Sequence, residues 1–479
     1  MEMKGAMMTV FRGAIFALLV SVLAISCSDD DSDSGNRYVN NWIYDNMELY
    51  YLWNLDLPSS PDKSQEPEAF FNSLLSNEDR FSWIQENYIE LLNSLQGVNK
   101  EAGYEFKLYL TSGGSDALIA QVMYIKAGSL VDTEGKDLKR GDVITHINGT
   151  QITLSNYQEL LSDISENHTI KYYRPSEEGD VDMGTLALNT AEFAENPNLM
   201  HKIIETGDGH KIGYYVYNFF AVGPTSNSTQ YNDEMDAIFA DFKSEGITDL
   251  VVDLRYNSGG AETATINLAS LIGDNIDATK IFTKRSYNYD LSAALVNEYG
   301  PDVLIKKFNT ESQNVGPLLN NSRVYILTSS RTASASELLI NGLKPFMEVF
   351  LVGDTTVGKN VGSISIYEEN DPKNKWGMQP IVVKSYNSES ESDYSDGFVP
   401  NIPDEDNSIF LKPLGDEDER LLSLAIDHIR GGSGARHKAG ARTREHVAIA
   451  TSADFKRGSY NLVLDDERIA KVIKKSWVE

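Results

Sequence analysis

The stretch Asp249-Leu-Val-Val-Asp-Leu-Arg-Tyr-Asn-Ser-Gly-Gly260 decides the fold. Its first half predicts a buried strand, and the two glycines at its end predict a tight turn. Similar strands and amphipathic helices alternate on both sides of it. The predicted strands cover 211–220, 323–327 and 349–353, and the predicted helices cover 231–244, 261–272 and 336–343. This alternation predicts an α/β domain over residues 193–430, with a mostly parallel sheet, helices on both faces and chemistry in the loops at the strand ends.

Two loops of this domain carry the chemistry. Thr328-Ser-Ser-Arg-Thr-Ala-Ser-Ala-Ser-Glu337 joins a strand to a helix, and such a turn can present a serine hydroxyl beside backbone N–H groups that stabilise an oxyanion. Asp354-Thr-Thr-Val-Gly-Lys359 follows the next strand, so adjacent strand ends can bring Lys359 to Ser334. A lysine accepts a proton only when it is neutral, and burial favours the neutral form. Valines two residues to either side suit such burial.

Three motifs together resemble those of the C-terminal processing (tail-specific) serine peptidases. Residues 253–260 are similar to the family's Asp-Leu-Arg-x-Asn-x-Gly-Gly loop, residues 332–337 to its nucleophile turn and residues 353–359 to its base loop. The 25-residue separation of Ser334 from Lys359 is also the family's spacing. The resemblance implies an α/β core of the ClpP/crotonase type, preceded by a signal sequence, a helical N-terminal subdomain and a PDZ domain. It covers about residues 38–430.

The resemblance also assigns roles to individual residues. It implies that Ser334 is the nucleophile and Lys359 the general base. The backbone N–H of Ala335, with that of Gly259 or Gly260, would form the oxyanion hole. The implied reaction is hydrolysis of peptide bonds in protein substrates, near their C-termini, through a Ser–Lys dyad.

Two points within this site stay open on the sequence. Ser336 is the competing nucleophile, although it falls in the start of the predicted helix and the spacing to Lys359 favours Ser334. Many relatives have glutamine four residues after the lysine, whereas this chain has Ser363. Ser363 and Glu337 are therefore the candidates for orienting the lysine.

Residues 98–192 have a different pattern, with short β-type runs separated by Gly, Asp and Asn. Leu138-Lys-Arg-Gly-Asp-Val-Ile-Thr-His-Ile-Asn-Gly149 resembles the central strand and turn of PDZ domains. Such domains bind a peptide C-terminus as an added strand. We therefore expect a PDZ-like domain whose peptide-binding residues are Gly103, Tyr104 and Phe106. The predicted strands are 106–110, 117–125, 143–147 and 169–173, and the predicted helix is 154–164.

The first residues predict export and lipid attachment. The apolar run 14–25 has 12 residues and is too short to cross a bilayer as a helix. Ala24-Ile-Ser-Cys27 resembles a bacterial lipobox, so residues 1–26 are predicted to be a lipoprotein signal peptide and Cys27 the lipidated residue. The implied location is beyond the inner membrane, lipid-anchored at the outer membrane, on its periplasmic face or at the cell surface. An acidic flexible tether is predicted over 27–37, and a helical subdomain with an aromatic core over 38–97.

Composition excludes several classes of protein. The 479 residues include 42 Lys+Arg against 71 Asp+Glu, and the formal charge of −29 argues against nucleic-acid binding. The single cysteine cannot form an internal disulfide. The seven histidines are scattered and the glycine turn is not a P-loop, so the sequence predicts no metal and no cofactor. The expected partners are protein or peptide substrates and a lipid bilayer, while the oligomeric state is open.

Two other functions fit the sequence less well. One is a catalytically inactive peptide-binding lipoprotein on the same scaffold, and the other is a hydrolase of a different acyl or glycan substrate. Residues 416–429 predict a helix that closes the core, and residues 431–479 a basic flexible linker and C-terminal tail. Within that tail, residues 447–479 predict a strand pair and a short helix without an assigned role.

Overall fold

The computed structural model describes residues 29–111, 115–176, 178–225, 227–432, 447–455, 462–464, 466, 468, 469 and 471. The predicted signal peptide, Cys27 and most of the predicted basic linker lie outside these residues. Within the described part of the chain, no helix has both the length and the hydropathy that a membrane span requires.

The N-terminal part is mainly helical. Its elements are α1 (Asp29–Tyr50), α2 (Pro67–Ser73), β1 (Trp83–Gln85) and α3 (Tyr88–Leu95). Phe70 and Phe71 are fully buried against Ile43 and Met47 of α1, which confirms their prediction as core residues. Because α1 begins at Asp29, the prediction of a flexible tether over 27–37 is wrong from that residue onward. Acidic residues are favourable in the first turn of a helix, since they complement its dipole.

The second domain is an antiparallel sheet with two short helices. Its strands are β2 (Val98–Glu101), β3 (Tyr104–Leu110), β4 (Leu118–Ile125), β5 (Val143–Ile147), β6 (Thr150–Gln151), β7 (His168–Arg174), β8 (Val181–Leu188) and β9 (Ala191–Ala194), and its helices are α4 (Leu130–Thr133) and α5 (Tyr157–Ser162). The main sheet follows the order β3-β4-β5-β7-β8, with α5 packed on its apolar face. Strands β3, β4, β5 and β7 match the four predicted runs, while α5 is shorter than the predicted helix.

The third domain is the α/β unit that the alternating pattern predicts. Its sheet has the order β10 (Asn198–Glu205), β11 (Lys211–Tyr217), β12 (Asp249–Asp253), β16 (Arg323–Thr328), β17 (Glu348–Gly353) and β22 (Ile402–Pro403). All neighbours from β11 onward are parallel, and β10 is antiparallel at the edge. One face packs on α6 (Gln230–Glu245), α7 (Glu262–Ile272) and α9 (Ala335–Leu343), the other on α10 (Arg420–Ile429). The predicted mixed α/β architecture is therefore confirmed.

A further sheet, which the sequence did not predict, lies beside this domain. Its members are β13 (Gly260–Ala261), β14 (Ile281–Tyr287), β15 (Ile305–Lys307), β18 (Val361–Ser363) and β21 (Ile381–Tyr386), and α8 (Tyr289–Tyr299) packs on it. Strands β19 (Ile366–Tyr367) and β20 (Gly377–Gln379) join β1 of the N-terminal part in a small sheet. The N-terminal part is thereby fixed to the α/β unit.

The C-terminal segment adds one strand to each of two different sheets. Strand β23 (Val447–Thr451) pairs with β3, and β24 (Leu462–Val463) lies between β13 and β18. The prediction that these residues pair with each other is therefore wrong. Strand β23 instead bonds the edge of β3, and β24 links β13 to β18 within one sheet.

Candidate active site

Three loops meet at the carboxyl ends of β12, β16 and β17. Strand pairing sets Asp253 beside Leu327 and Thr328 beside Gly353, so the chain leaves these strands at one edge of the sheet. The three predicted motifs, which are distant in sequence, are therefore neighbours in the fold.

The glycine loop after β12 is bonded to the turn that follows β16. Asn257 O accepts a hydrogen bond from Ser336 Oγ at 3.1 Å, and Asn257 Oδ1 accepts one from Gly259 N at 2.9 Å. Gly260 has a φ of +137°, and a Cβ there would lie 2.0 Å from Phe220 O. The fold therefore requires glycine at position 260, and the N–H of Gly259 is used within the turn itself.

Ser334 begins α9 in a strained conformation. Its φ of 62° and ψ of −110° lie outside the regions that residues with a Cβ ordinarily adopt. The residue is 1% exposed, and its Oγ has no hydrogen-bond partner among the described residues. Strain of this kind costs about 1–3 kcal/mol and is typical of functional residues that their surroundings hold in place. The turn thus presents an unbonded hydroxyl next to the backbone N–H of Ala335.

One buried carboxylate joins the Ser334 turn to the Lys359 loop. Glu337 Oε2 accepts hydrogen bonds from the backbone N–H groups of Ser334 and Lys359, each at 2.8 Å. Glu337 Oε1 accepts from Gly358 N at 2.7 Å and from Thr356 Oγ1 at 2.6 Å. Burial raises the pKa of Glu337, although these hydrogen bonds oppose the rise. Because a single oxygen bonds both backbones, the two segments are held side by side.

Lys359 is buried against an aromatic ring. It is 1% exposed, and its Nζ lies 4.9 Å from the centroid of the Phe81 ring. Burial lowers the pKa of Lys359 from 10.5 to about 7, against the attraction of Asp79 and Glu337. A large fraction of this lysine is therefore neutral near pH 7, as proton acceptance requires.

The N-terminal part supplies residues of this site that the sequence did not reveal. Phe81 lies under the lysine ammonium, and Arg80 Nη2 donates to Gly358 O at 2.8 Å and to Ser395 O at 3.1 Å. Arg80 and Gly358 are 278 residues apart. The pattern of residues 38–97 indicates only helices and an aromatic core, so no sequence signal marks this contact.

The two candidates for orienting the lysine make different contacts. Glu337 bonds the backbone of Lys359, as described above. Ser363 lies on β18, where its Oγ donates to Gln379 Oε1 at 2.7 Å, and both residues are buried. Gln379 Nε2 in turn donates to Ser365 Oγ at 2.6 Å. A glutamine thus stands beside Ser363, but it comes from β20 and not from the lysine loop.

The aspartate and arginine of the glycine-loop motif have a structural role. The guanidinium of Arg255 is buried and pairs with Asp253 at 2.9 Å, Asp406 at 2.9 Å and Glu419 at 2.6 Å. Glu419 also caps α10 by accepting a hydrogen bond from Leu422 N. This cluster fixes the glycine loop to the helix on the opposite face of the sheet.

The three predicted peptide-binding residues lie in the second domain and differ in their surroundings. Gly103 has a φ of +100°, which favours glycine. The Tyr104 hydroxyl lies 2.9 Å from His168 Nε2, buried inside the domain. Phe106 N donates to Ser452 Oγ at 3.0 Å. Phe106 is thus the one of the three whose backbone N–H bonds a segment added to the edge of β3.

A cavity of about 180 Å³ joins the second domain to the α/β unit. Its lining includes residues 105–107, 258–260, 329–331 and 451–453. The cavity therefore places Phe106 and the glycine loop on the walls of one space.

Comparison with known proteins agrees with this arrangement. Residues 211–403 match the model of peptidase family S41, and residues 38–83 match that of the peptidase S41 N-terminal domain. Over these residues the chain is similar to the S41 peptidases. The larger match contains Ser334 and Lys359, and the smaller one contains Phe81. The similarity supports a serine peptidase function.

Individual S41 relatives extend the similarity beyond these two regions. The chain is 25% identical over 423 residues to a carboxyl-terminal-processing protease of Picosynechococcus, covering 86% of this chain and 92% of that protein. It is 27% identical over 317 residues to a probable CtpA-like serine protease of Staphylococcus aureus, covering 65% of this chain and 55% of that protein. A crystal structure of a putative S41 protease from Bacteroides fragilis superposes with a TM-score of 0.67 at 28% identity, covering 81% of this chain and 97% of that one.

Proposed function

We propose that this chain is a serine peptidase that cleaves protein substrates with Ser334 as nucleophile and Lys359 as general base. The observation that carries the proposal is the Glu337 carboxylate, whose one oxygen bonds the backbone of both residues at 2.8 Å. A lysine with a pKa of about 7 provides a base without a histidine. The relationship to the S41 peptidases supports the same class of reaction.

The reaction proceeds by acyl transfer. Neutral Lys359 Nζ takes the hydroxyl proton while Ser334 Oγ forms a bond to the substrate carbonyl carbon, whose oxygen becomes an oxyanion. The protonated lysine then gives its proton to the leaving amine as the C–N bond breaks. In the second half, Lys359 takes a proton from water, the hydroxyl adds to the acyl carbon, and the Ser334 oxygen leaves with that proton.

Two backbone N–H groups are proposed to hold the oxyanion. One is that of Ala335, in the first turn of α9, where the helix dipole favours negative charge. The other is that of Gly260, because the N–H of Gly259 already donates to Asn257 Oδ1.

We assign the orientation of the lysine ammonium to the Ser363–Gln379 pair. Ser363 Oγ donates its proton to Gln379 Oε1 at 2.7 Å, and a hydroxyl oxygen that donates in this way can also accept a hydrogen bond from an ammonium or amine. In this arrangement a serine and a glutamine from β20 replace the single glutamine of the base loop that the family resemblance led us to expect.

The second domain is proposed to be a PDZ-like domain that binds the C-terminal end of substrates at the edge of β3. The loop with Gly103 precedes this strand, and α5 packs beside it, as a peptide groove requires. Cleavage of a reporter peptide with a free C-terminus, compared with the same peptide carrying a C-terminal amide, tests this role. Equal kcat/KM values for the two peptides would contradict it.

The chain is also proposed to be exported and anchored by a lipid on Cys27, at the outer membrane, on its periplasmic face or at the cell surface. The lipobox-like segment in the sequence supports this. Metabolic labelling with an alkyne fatty acid should mark the wild-type chain and not Cys27→Ser. Labelling that survives the substitution would exclude this attachment point.

The catalytic assignment is tested with two neighbouring serines. Ser334→Ala should abolish cleavage of a peptide library mapped by mass spectrometry, because it removes the nucleophile. Ser336→Ala loses only the hydrogen bond to Asn257 O and should keep measurable turnover. Wild-type turnover by Ser334→Ala, with loss in Ser336→Ala, would overturn the assignment.

A further inference from the structure

The C-terminal end of the chain occupies both places where the proposed function requires a substrate peptide. We call its described residues, 447–455, 462–464, 466, 468, 469 and 471, the tail. Strand β23 of the tail lies on the edge of β3, and strand β24 lies between β13 and β18.

The tail lies on β3 in the direction of a bound peptide. The strands are antiparallel, with Val447 opposite Leu110 and Thr451 opposite Lys107, so the tail runs toward the loop at Gly103. A peptide added to such a domain runs the same way, with its terminal carboxylate at that loop. At this point Ser452 Oγ accepts the N–H of Phe106 at 3.0 Å. The serine hydroxyl thus takes a backbone donor that a peptide carboxylate would use.

Apolar side chains of the tail fill the groove beside β3. Ile449, Ala450 and Phe455 are partly buried against the core of the second domain. The ring of Phe455 meets that of Tyr157 on α5 edge to face, with centroids 6.0 Å apart. The tail therefore contacts both walls of the groove, the strand and the helix.

The second contact lies at the catalytic loops. Leu462 pairs with Gly260, and Val463 pairs with both Ala261 and Ser363. Strand β13 carries the proposed oxyanion glycine, and β18 begins two residues after Lys359. An extended substrate whose carbonyl is to reach Ser334 has to run along these same edges, because its main chain needs partners there.

The tail is held firmly at this second contact. Leu464 and Ile469 are 5% and 2% exposed, and Asp466 pairs with Arg285 at 2.9 Å and Lys306 at 3.3 Å. A segment of the same chain competes effectively even with modest affinity, since its effective concentration is of the order of millimolar.

We propose that the tail is an intramolecular competitor of substrates, which bind only when the tail leaves the β3 groove and the cleft between β13 and β18. The proposal rests on the proposed function, because it concerns the same site. The burial of Ser334 at 1% exposure fits a chain whose cleft is filled.

The first experiment compares cleavage of a reporter peptide by the full chain, Ser452→Ala and Ser452→Thr. The alanine variant leaves the Phe106 N–H without its acceptor and should raise the initial rate about fivefold or more. The threonine variant keeps a hydroxyl and should stay within about twofold of wild type. An alanine variant no faster than the threonine variant would overturn the proposal.

The second experiment measures binding without catalysis. A fluorescein-labelled peptide of residues 447–464 should bind saturably to a chain that ends at Gly432, and much more weakly to the full chain, whose sites are filled. Equal affinity for both chains would contradict the proposal. If the shortened chain does not fold, the Ser452 variants of the full chain still decide the question.

The two experiments separate the proposals from each other. In the first outcome, wild type and Ser452→Ala cleave the reporter peptide at the same rate, and Ser334→Ala does not cleave it. This result would overturn the tail proposal and leave the peptidase proposal intact. In the second outcome, no variant shows cleavage that depends on Ser334, and the labelled tail peptide binds only to the shortened chain. The peptidase proposal then fails, whereas the tail is still the segment that occupies the groove beside β3.

Discussion

Among the residues that the structure describes, Lys126 and Lys359 are almost completely buried, and their surroundings differ. Lys126 is 3% exposed, and its Nζ contacts the carboxylates of Glu101 at 2.7 Å, Glu105 at 2.9 Å and Glu195 at 2.7 Å. Lys359 is 1% exposed, and its Nζ lies over the Phe81 ring.

The two pKa values shift in opposite directions. Burial by itself would lower the pKa of Lys126, but the three carboxylates raise it well above its usual value. Burial lowers the pKa of Lys359 to about 7, because the attraction of Asp79 and Glu337 does not compensate it. Burial alone therefore does not make a lysine a base; the balance between burial and the attraction of nearby carboxylates decides the pKa.

The largest expected effect is the loss of activity when Lys359 is replaced. Lys359→Met should lower kcat/KM by about 10²–10⁴-fold, the usual contribution of a general base. Lys344→Met is the matched control, since Lys344 also lies 4.9 Å over a phenylalanine, Phe398, but is exposed at the end of α9. Steady-state kinetics with a reporter peptide measures both variants. Activity within tenfold of wild type in Lys359→Met would remove the lysine from the mechanism.

The second prediction concerns stability and has opposite signs for the two lysines. Lys126→Met leaves three buried carboxylates without their cation and should lower the free energy of unfolding by about 3–5 kcal/mol. Lys359→Met removes an amine whose charged form is disfavoured by burial, so this variant should raise the free energy of unfolding. Urea denaturation at pH 7 measures both changes. If both variants change the free energy of unfolding in the same direction, the proposed difference between the two lysines is wrong.

The third prediction is the pH dependence of catalysis. Because the pKa of Lys359 is lowered to about 7, its neutral fraction, and with it kcat/KM, should rise about tenfold per unit below pH 7 and level off above it. The unfolded chain binds this proton up to about pH 10.5, so the lysine's contribution to stability also improves between about pH 7 and 10.5. A midpoint near pH 10 in the plot of kcat/KM against pH would show that the pKa of the lysine is not lowered, and would contradict this prediction.

The smallest expected effect tests the aromatic ring. The face of Phe81 attracts the protonated form of Lys359, so Phe81→Leu should lower the pKa of the lysine further and move the midpoint of the rate profile down by about 0.5–1 pH unit. Phe398→Leu, beside exposed Lys344, is the control and should leave the profile in place. A midpoint that moves upward in Phe81→Leu would contradict a cation–π contribution.

The sequence by itself determined the α/β architecture and named Ser334 and Lys359 as the candidate dyad. The strands and helices of the parallel sheet and the glycine turn are specified by neighbouring residues, so their pattern is visible in a short window, whereas the further sheet beside them was not predicted. Ser334 and Lys359 follow adjacent strands, and parallel strands end at a common edge, so their proximity also followed from the sequence.

Only the tertiary structure decided what surrounds those residues. Three of these neighbours come from segments that are far apart in the chain: Phe81 through its ring contact, Gln379 through a hydrogen bond, and the tail through strand pairing. No local sequence pattern predicts contacts between such distant segments. The same holds for the two lysines. The flanking valines predict burial of Lys359, but a pKa depends on which charges lie within a few ångströms, and for Lys126 these include Glu195, which is 69 residues away in the chain.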